Sequence, residues 1–365
     1  MKFNRGRNKL IEQLQAINIL YRIMTQTRIA GSLLAFFFLL ILSACSKTGD
    51  QDFLDDRGGL LGNQSRQRII EYHRALLKDF NIHCKVVVLA KASTDINRDA
   101  ADLFGDLGKK TGKARGLLFL IDPVGKQVRI EVGYDLEGIF PDIFVSYLER
   151  EQMVPFFQQA KVGAGIEATE ELFVARVQRS VAGESFDPAV ELGGLSHYSG
   201  GGGARTKVAI GDGPIDKIAV DDSTAYLPQQ SPEQSLTVYI RLLRHKIKDP
   251  DLELYTPGTR KFLSGWLVTD AQQDNELRGL EGAVIDKVIF AGNRAVIRFP
   301  VEKRTLPPYF LENNGNGWAF DFAAMSTIIR MNHKNMWHFV SRDHSYMFGF
   351  TDWRFDANGY PMLKR

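Results

Sequence analysis

Between Asn63 and Phe80 the residues Ile69, Tyr72, His73, Leu76, Leu77 and Phe80 recur at helical spacing. That spacing predicts an amphipathic helix packed along one stripe. The period then changes. Cys84–Ala90 is a short apolar run that predicts a buried strand, and Asp95–Lys110 returns to helical spacing with a polar face. Gly116–Ile121 (GLLFLI) is apolar throughout and ends at the turn residues Asp122-Pro123-Val124-Gly125. Lys126–Val132 alternates, with Val128, Ile130 and Val132 on one side and Gln127, Arg129 and Glu131 on the other. This predicts a strand with one wetter face. Two helices follow: Asp142–Met153, expected to stop at Pro155, and Ile166–Ala182, with Leu172, Phe173 and Val177 inward. Strands alternating with helices predict an α/β layered domain over residues 52–187.

Gly193 to Gly213 holds eight glycines in twenty-one residues, so 188–230 is expected to be a Gly-rich linker. No Gly-Lys-Ser/Thr follows, which excludes a phosphate loop. Residues 231–365 then open on Ser231-Pro232-Glu233-Gln234, a capping-box start, with Leu236, Tyr239, Ile240, Leu243 and Ile247 as the buried stripe. A second helix is expected over Arg260–Val268. Val284–Phe290 and Ala295–Val301 around Ala291-Gly292-Asn293 predict a hairpin, and Gly317–Met325 a further strand with Trp318, Phe320 and Phe322 on one side. Helices first and strands afterwards predict an α+β domain. The aromatics from Trp337 to Phe355 read as its core. His333, His338 and His344 are spaced five and six apart, which fits no zinc pair, and they read as solvated or core histidines.

Composition changes the picture at the start of the chain. The net charge of +3 hides a split: residues 1–28 carry six basic residues against one acidic, leaving the rest at about −2. The folded part has no basic stripe, so nucleic acid is excluded as a partner. Ile29–Ala44 has no charge and, as a helix, would reach only about 24 Å, short of a membrane core. A basic segment, an apolar run and small residues define a secretory signal over residues 1–44. Leu42-Ser43-Ala44-Cys45 resembles the bacterial lipobox, which implies cleavage after Ala44, lipidation of Cys45 and a lipid anchor in a membrane. The expected location is the cell envelope, facing the periplasm or the exterior; a single-pass anchor is the alternative. Cys84 is then the remaining thiol, read as a small core hydrophobe with no disulfide partner.

Gly133-Tyr134-Asp135-Leu136-Glu137-Gly138-Ile139-Phe140-Pro141-Asp142, directly after a strand, resembles the signature of the TPM domain. Asp56-Arg57-Gly58-Gly59-Leu60-Leu61, Arg115–Asp122 and Val154-Pro155-Phe156-Phe157 with Gly163-x-Gly165-Ile166 resemble its flanking pieces, in order. The order of elements after residue 231 is similar to NTF2-like, cystatin-like folds, which implies a helix packed on a curved antiparallel sheet and a cone that some members use as a ligand pocket. TPM-like proteins are associated with calcium and with weak acid-phosphatase activity. The resemblance therefore implies a metal or ligand site at Asp56, Asp122, Asp135, Glu137 and Asp142. Carboxylates converging at strand ends suit Ca2+ (or Mg2+), which takes oxygen ligands. The bland reading makes the same residues caps, turn formers and surface charges.

Catalytic residues stay unassigned, since Cys-x5-Arg and Asp-x-Asp-x-Thr are both missing from the sequence. The expected role is a membrane-tethered, non-enzymatic adaptor or accessory factor for envelope or membrane proteins. The alternatives are a metal-assisted phosphomonoesterase using Asp56, Asp122, Glu137 and Asp142, and a small-ligand carrier working through the C-terminal domain.

Overall fold

The computed structural model describes residues 49–111, 115–192, 205–211, 213, 220, 222–302 and 304–364. The leader, Ala44, Cys45 and the centre of the glycine run lie outside the described residues. Phe53–Arg365 forms one compact unit.

The first sheet is mixed. β1 (Leu54–Asp56), β2 (Ile82–Val88) and β3 (Arg115–Asp122) run parallel, and β4 (Gln127–Val132) turns back antiparallel. β5 (Arg205–Lys207), inside the stretch expected to be linker, adds an antiparallel fifth strand against β4. α1 (Asn63–Phe80) has the predicted limits. It ends where Asn81 enters the left-handed region at φ 53° and returns its N–H to the last turn, which feeds the chain straight into β2.

Cys84, Val86, Leu117, Phe119, Val128 and Ile130 face α1 and α5 (Val162–Val181). Val87, Leu118 and Leu120 face α2 (Ile96–Thr111) on the other side. Period-two alternation therefore buries both faces, which is why GLLFLI reads as apolar without a break. Arg129, on the expected wetter face of β4, is buried with its guanidinium on Asn97 of α2 and on Glu131.

Pro155 does not stop the helix begun at Asp142. α3 (Asp142–Tyr147) widens into a π turn over Leu148–Met153 and resumes as α4 (Val154–Gln158). Pro155 directly follows the π turn, whose widened backbone accommodates the missing N–H.

Later antiparallel sheets follow α6 (Pro188–Glu191) and α7 (Pro232–Arg244). Ser231 caps α7 as predicted, its Oγ accepting from Gln234 N at 3.2 Å. The second helix is α8 (Pro257–Ser264), begun by Thr256 rather than at Arg260. α9 (Asp270–Leu280) was not anticipated, although Thr269 and Gln272 close a full capping box at its start. The main sheet is a meander of β6 (Lys287–Ala291), β7 (Arg294–Arg298), β8 (Tyr309–Asn313) and β9 (Trp318–Phe320).

The expected strand over Gly317–Met325 is short, because Asp321 accepts from Ala324 N at 3.0 Å and starts α10 (Phe322–Ile328). α7 packs on one face of this sheet, against Ala295, Ile297, Tyr309, Leu311 and Phe320. The other face, Val296 and Phe310, is covered by β11 (Trp337–Phe339), which pairs with β10 (Ile329–Met331), and by Tyr346, Phe350 and Trp353. Trp353 opens β12 (Trp353–Phe355), which pairs with β13 (Pro361–Leu363). The late aromatics are core, as expected. His333 pairs with Asp79 at 2.6 Å and His344 stacks on Phe310 and Tyr346.

The two halves meet through α9, which packs on the π turn and on α5. Tyr147 donates to Asp274 at 2.6 Å, Thr269 hydrogen-bonds Gln152, and Lys161 donates to the Gly265 carbonyl at 3.1 Å. Among the described residues no helix is long and apolar enough to cross a membrane.

Candidate functional site

The five acids singled out in the sequence do not gather in one place. β4 is antiparallel to β3, so its end returns to the start of β3: Gly133 donates to the Gly116 carbonyl at 2.9 Å. The approach is tight, since a Cβ on Gly133 would stand 3.2 Å from the Gly116 backbone. Asp122 closes the other end of β3, roughly 20 Å away at 3.3 Å per residue.

At that far end the carboxylates are occupied. Asp122 is buried and accepts from Gly125 N at 2.7 Å, Ser93 N at 2.8 Å and Gln127 Nε2 at 3.0 Å. Asp56, whose side chain is fully covered, accepts from Leu60 N and Leu61 N at 3.0 Å and pairs with Arg66 at 2.7 Å. Both hold their own turns in shape.

The opposite end is different. Leu136 and Phe140 are buried and pin the loop, with Leu136 N on the Gly133 carbonyl at 2.7 Å and Phe140 N on the Leu136 carbonyl at 2.8 Å. Pinned this way, the loop exposes Asp135 and Glu137, while Tyr134 is 85% exposed. Asp142 is exposed in the first turn of α3, behind Pro141.

A hard cation needs six or more oxygen ligands. Two of the five acids are saturated by N–H donors and the other three project into solvent across the sheet, so the set does not fit one calcium or magnesium. For the same reason Asp56, Asp122, Glu137 and Asp142 cannot act on one phosphate ester.

Among the described residues, a group of three metal-type donors within 4.8 Å of one another is formed instead by His73, Cys84 and Glu170, all buried. His73 Nδ1 faces the Phe53 carbonyl at 3.1 Å, and its Nε2 meets Glu170 at 2.5 Å. Burial raises the Glu170 carboxyl, and His73 opposes that rise. Burial also pushes the Cys84 thiol well up, which keeps it protonated and inert. This pair ties α1 to α5 inside the core. Glu149, also buried, accepts from Ile130 N at 2.7 Å and from Thr206 at 2.8 Å, and desolvation raises it to about 8.

The large concavity lies elsewhere. A cavity of about 650 Å³ opens among α7, α8, α9, β8 and α10, and the turn Gln158–Lys161 of the first domain forms part of its wall. Tyr239, Tyr255, Phe262, Trp266, Tyr309 and Phe322 line it. Glu276 of α9 stands among them, accepting from Tyr309 OH at 2.6 Å and from Tyr239 OH at 2.9 Å. Burial raises the Glu276 carboxyl, against the pull of the two hydroxyls. It also holds both tyrosine hydroxyls well above their ordinary range, so they stay neutral donors. No local pattern marks this acid in the sequence; the capping residues Thr269 and Gln272 signal only the helix that carries it.

Residues 54–175 match the family model of the TPM domain, so the chain carries a TPM domain. No curated protein matches the chain. Among solved structures, it is similar to the N-terminal domain of a protein from P. gingivalis, determined by solution NMR. That likeness has 23% identity over 38% of this chain and 88% of the other, with a TM-score of 0.30.

Proposed function

We propose that this TPM-domain chain is a non-enzymatic accessory factor of the cell envelope whose C-terminal half binds a small, largely apolar molecule. The cavity carries this reading: its volume suits a small ligand, its walls are aromatic, and a few polar groups converge in it. Because Gln158–Lys161 belongs to the TPM domain, an occupant would touch both halves and its presence would be felt by α4 and α5. The lipid anchor at Cys45, with cleavage after Ala44, is the tether this proposal includes. The loop 133–142 is the surface offered to a partner protein, since Tyr134 stands exposed beside the exposed acids Asp135 and Glu137.

The test is titration of the full chain with the neutral fluorescent dye N-phenyl-1-naphthylamine. One saturable site is expected, lost in Met325→Trp, which places an indole in the cavity. Uptake that never saturates, or that Met325→Trp leaves unchanged, sinks the proposal.

A further inference from the structure

The charge pattern of the cavity says more than its size. The cationic side chains on its wall are already engaged: Lys248 pairs with Asp270 at 2.6 Å, and Lys161 donates to the Gly265 carbonyl at 3.1 Å. Asp249 accepts from Asp251 N at 2.9 Å and from Val220 N at 3.3 Å. Glu276 differs from all of these. Both its oxygens are held by neutral hydroxyls, and among the described residues no lysine, arginine or histidine pairs with it. A half-buried carboxylate met only by neutral donors is left under-compensated, and a cation beside it would reduce that cost.

The neighbouring rings favour the same sign. Tyr239 and Phe322 lie 5.2 Å apart at 53°, Tyr255 and Phe322 5.7 Å apart at 54°, and Tyr239 and Tyr309 6.0 Å apart at 62°. The face of such a ring is electron-rich and attracts an ammonium group, which a carboxylate cannot match. At the mouth, Trp266 stacks on Phe262 at 5.3 Å and is still 55% exposed, a further face for the apolar part of a ligand.

We infer that the cavity takes an organic cation, an ammonium group seated against Glu276 with its apolar body among Tyr239, Tyr255, Tyr309 and Phe322. The inference rests on the cavity reading above and adds the chemistry of the ligand. It disfavours fatty acids and phosphate esters as occupants, because their anionic ends would meet Glu276.

Calorimetric titration of the full chain with three molecules of one shape tests it: 4-phenylbutylamine, 4-phenylbutan-1-ol and 4-phenylbutanoate. The amine is expected to bind about ten-fold or more tighter than the alcohol, and the carboxylate weakest. Glu276→Gln, which keeps an acceptor for one tyrosine and offers an N–H to the other, is expected to bring the amine down to the alcohol while leaving the alcohol unchanged. Tyr255→Leu is expected to weaken the amine more than the alcohol. An alcohol that binds as tightly as the amine overturns the inference, as does a carboxylate that binds tighter, or an amine that does not bind. The comparison of the three molecules on the parent chain decides this even if Glu276→Gln fails to fold. The neutral dye separates the two failures: saturable dye uptake without amine preference leaves the cavity reading standing, and no uptake removes both.

Discussion

The two ends of the first sheet treat their carboxylates in opposite ways. At the ends of β1 and β3, Asp56 and Asp122 are covered and each is met by three donors. At the far end, Asp135, Glu137 and Asp142 face solvent on a loop whose apolar residues alone are fixed. An acid at a strand end is therefore no guide to chemistry until its donors are counted. Acids that meet backbone N–H groups hold turns, and acids that meet none are available to something outside.

The largest effect expected from testing that contrast comes from the core beneath the sheet. His73→Leu strands Glu170 without its partner and should cost about 3–5 kcal/mol in denaturant unfolding. His73→Leu combined with Glu170→Leu should cost clearly less than the single change, because no charge is then left unpaired.

Next is a pH effect. Glu149 holds its proton to about 8 in the folded chain, against an ordinary value of 4.5, so the folded state binds that proton more tightly than the unfolded one. Its contribution is complete below about 4.5 and is lost as pH rises through about 8. Stability should fall by an amount on the order of 3 kcal/mol between pH 5 and 8. Glu149→Gln should flatten that part of the profile of melting temperature against pH.

Smaller again, Asp122→Ala should cost about 2 kcal/mol, the penalty for N–H groups left unmet in a buried turn. The smallest change is expected across the sheet, where Glu137→Gln with Asp142→Asn should alter stability by less than about 0.5 kcal/mol. A larger loss there would mean that these acids are structural, and the contrast between the two ends would collapse.

Much of the first domain was legible because its elements carry their own period. α1 shows a stripe, β3 is apolar from Gly116 to Ile121, and the decapeptide after β4 carries the resemblance to the TPM domain that residues 54–175 match. Strand direction was less visible, and the expectation of converging acids failed on it. The signal was present: only Pro123–Lys126 separates β3 from β4, and so short a connection makes an antiparallel hairpin, never a parallel crossover.

The C-terminal half was harder because its elements are short and its decisions fall on single residues. Trp318, Phe320 and Phe322 alternate like one strand, yet Asp321 between them caps a helix and divides the run. β8 follows Pro307-Pro308 with only five residues, too few to show a period. Glu276 gains its meaning from Tyr239 and Tyr309, thirty-seven and thirty-three residues away, a relation that no local pattern encodes.

The covering of the second sheet by Trp337, Phe339, Tyr346, Phe350 and Trp353 has a consequence for how this half comes into being. Val296 and Phe310 leave the ribosome well before the residues that shield them, so β7 and β8 wait with one oily side bare. Closing that side joins segments some thirty to sixty residues apart, the kind of long-range contact that is slow to form. The interval between making the sheet and sealing it is where a holding chaperone would be most useful to this chain, and where a nonsense codon after Ile328 would leave an adhesive fragment instead of a shortened protein.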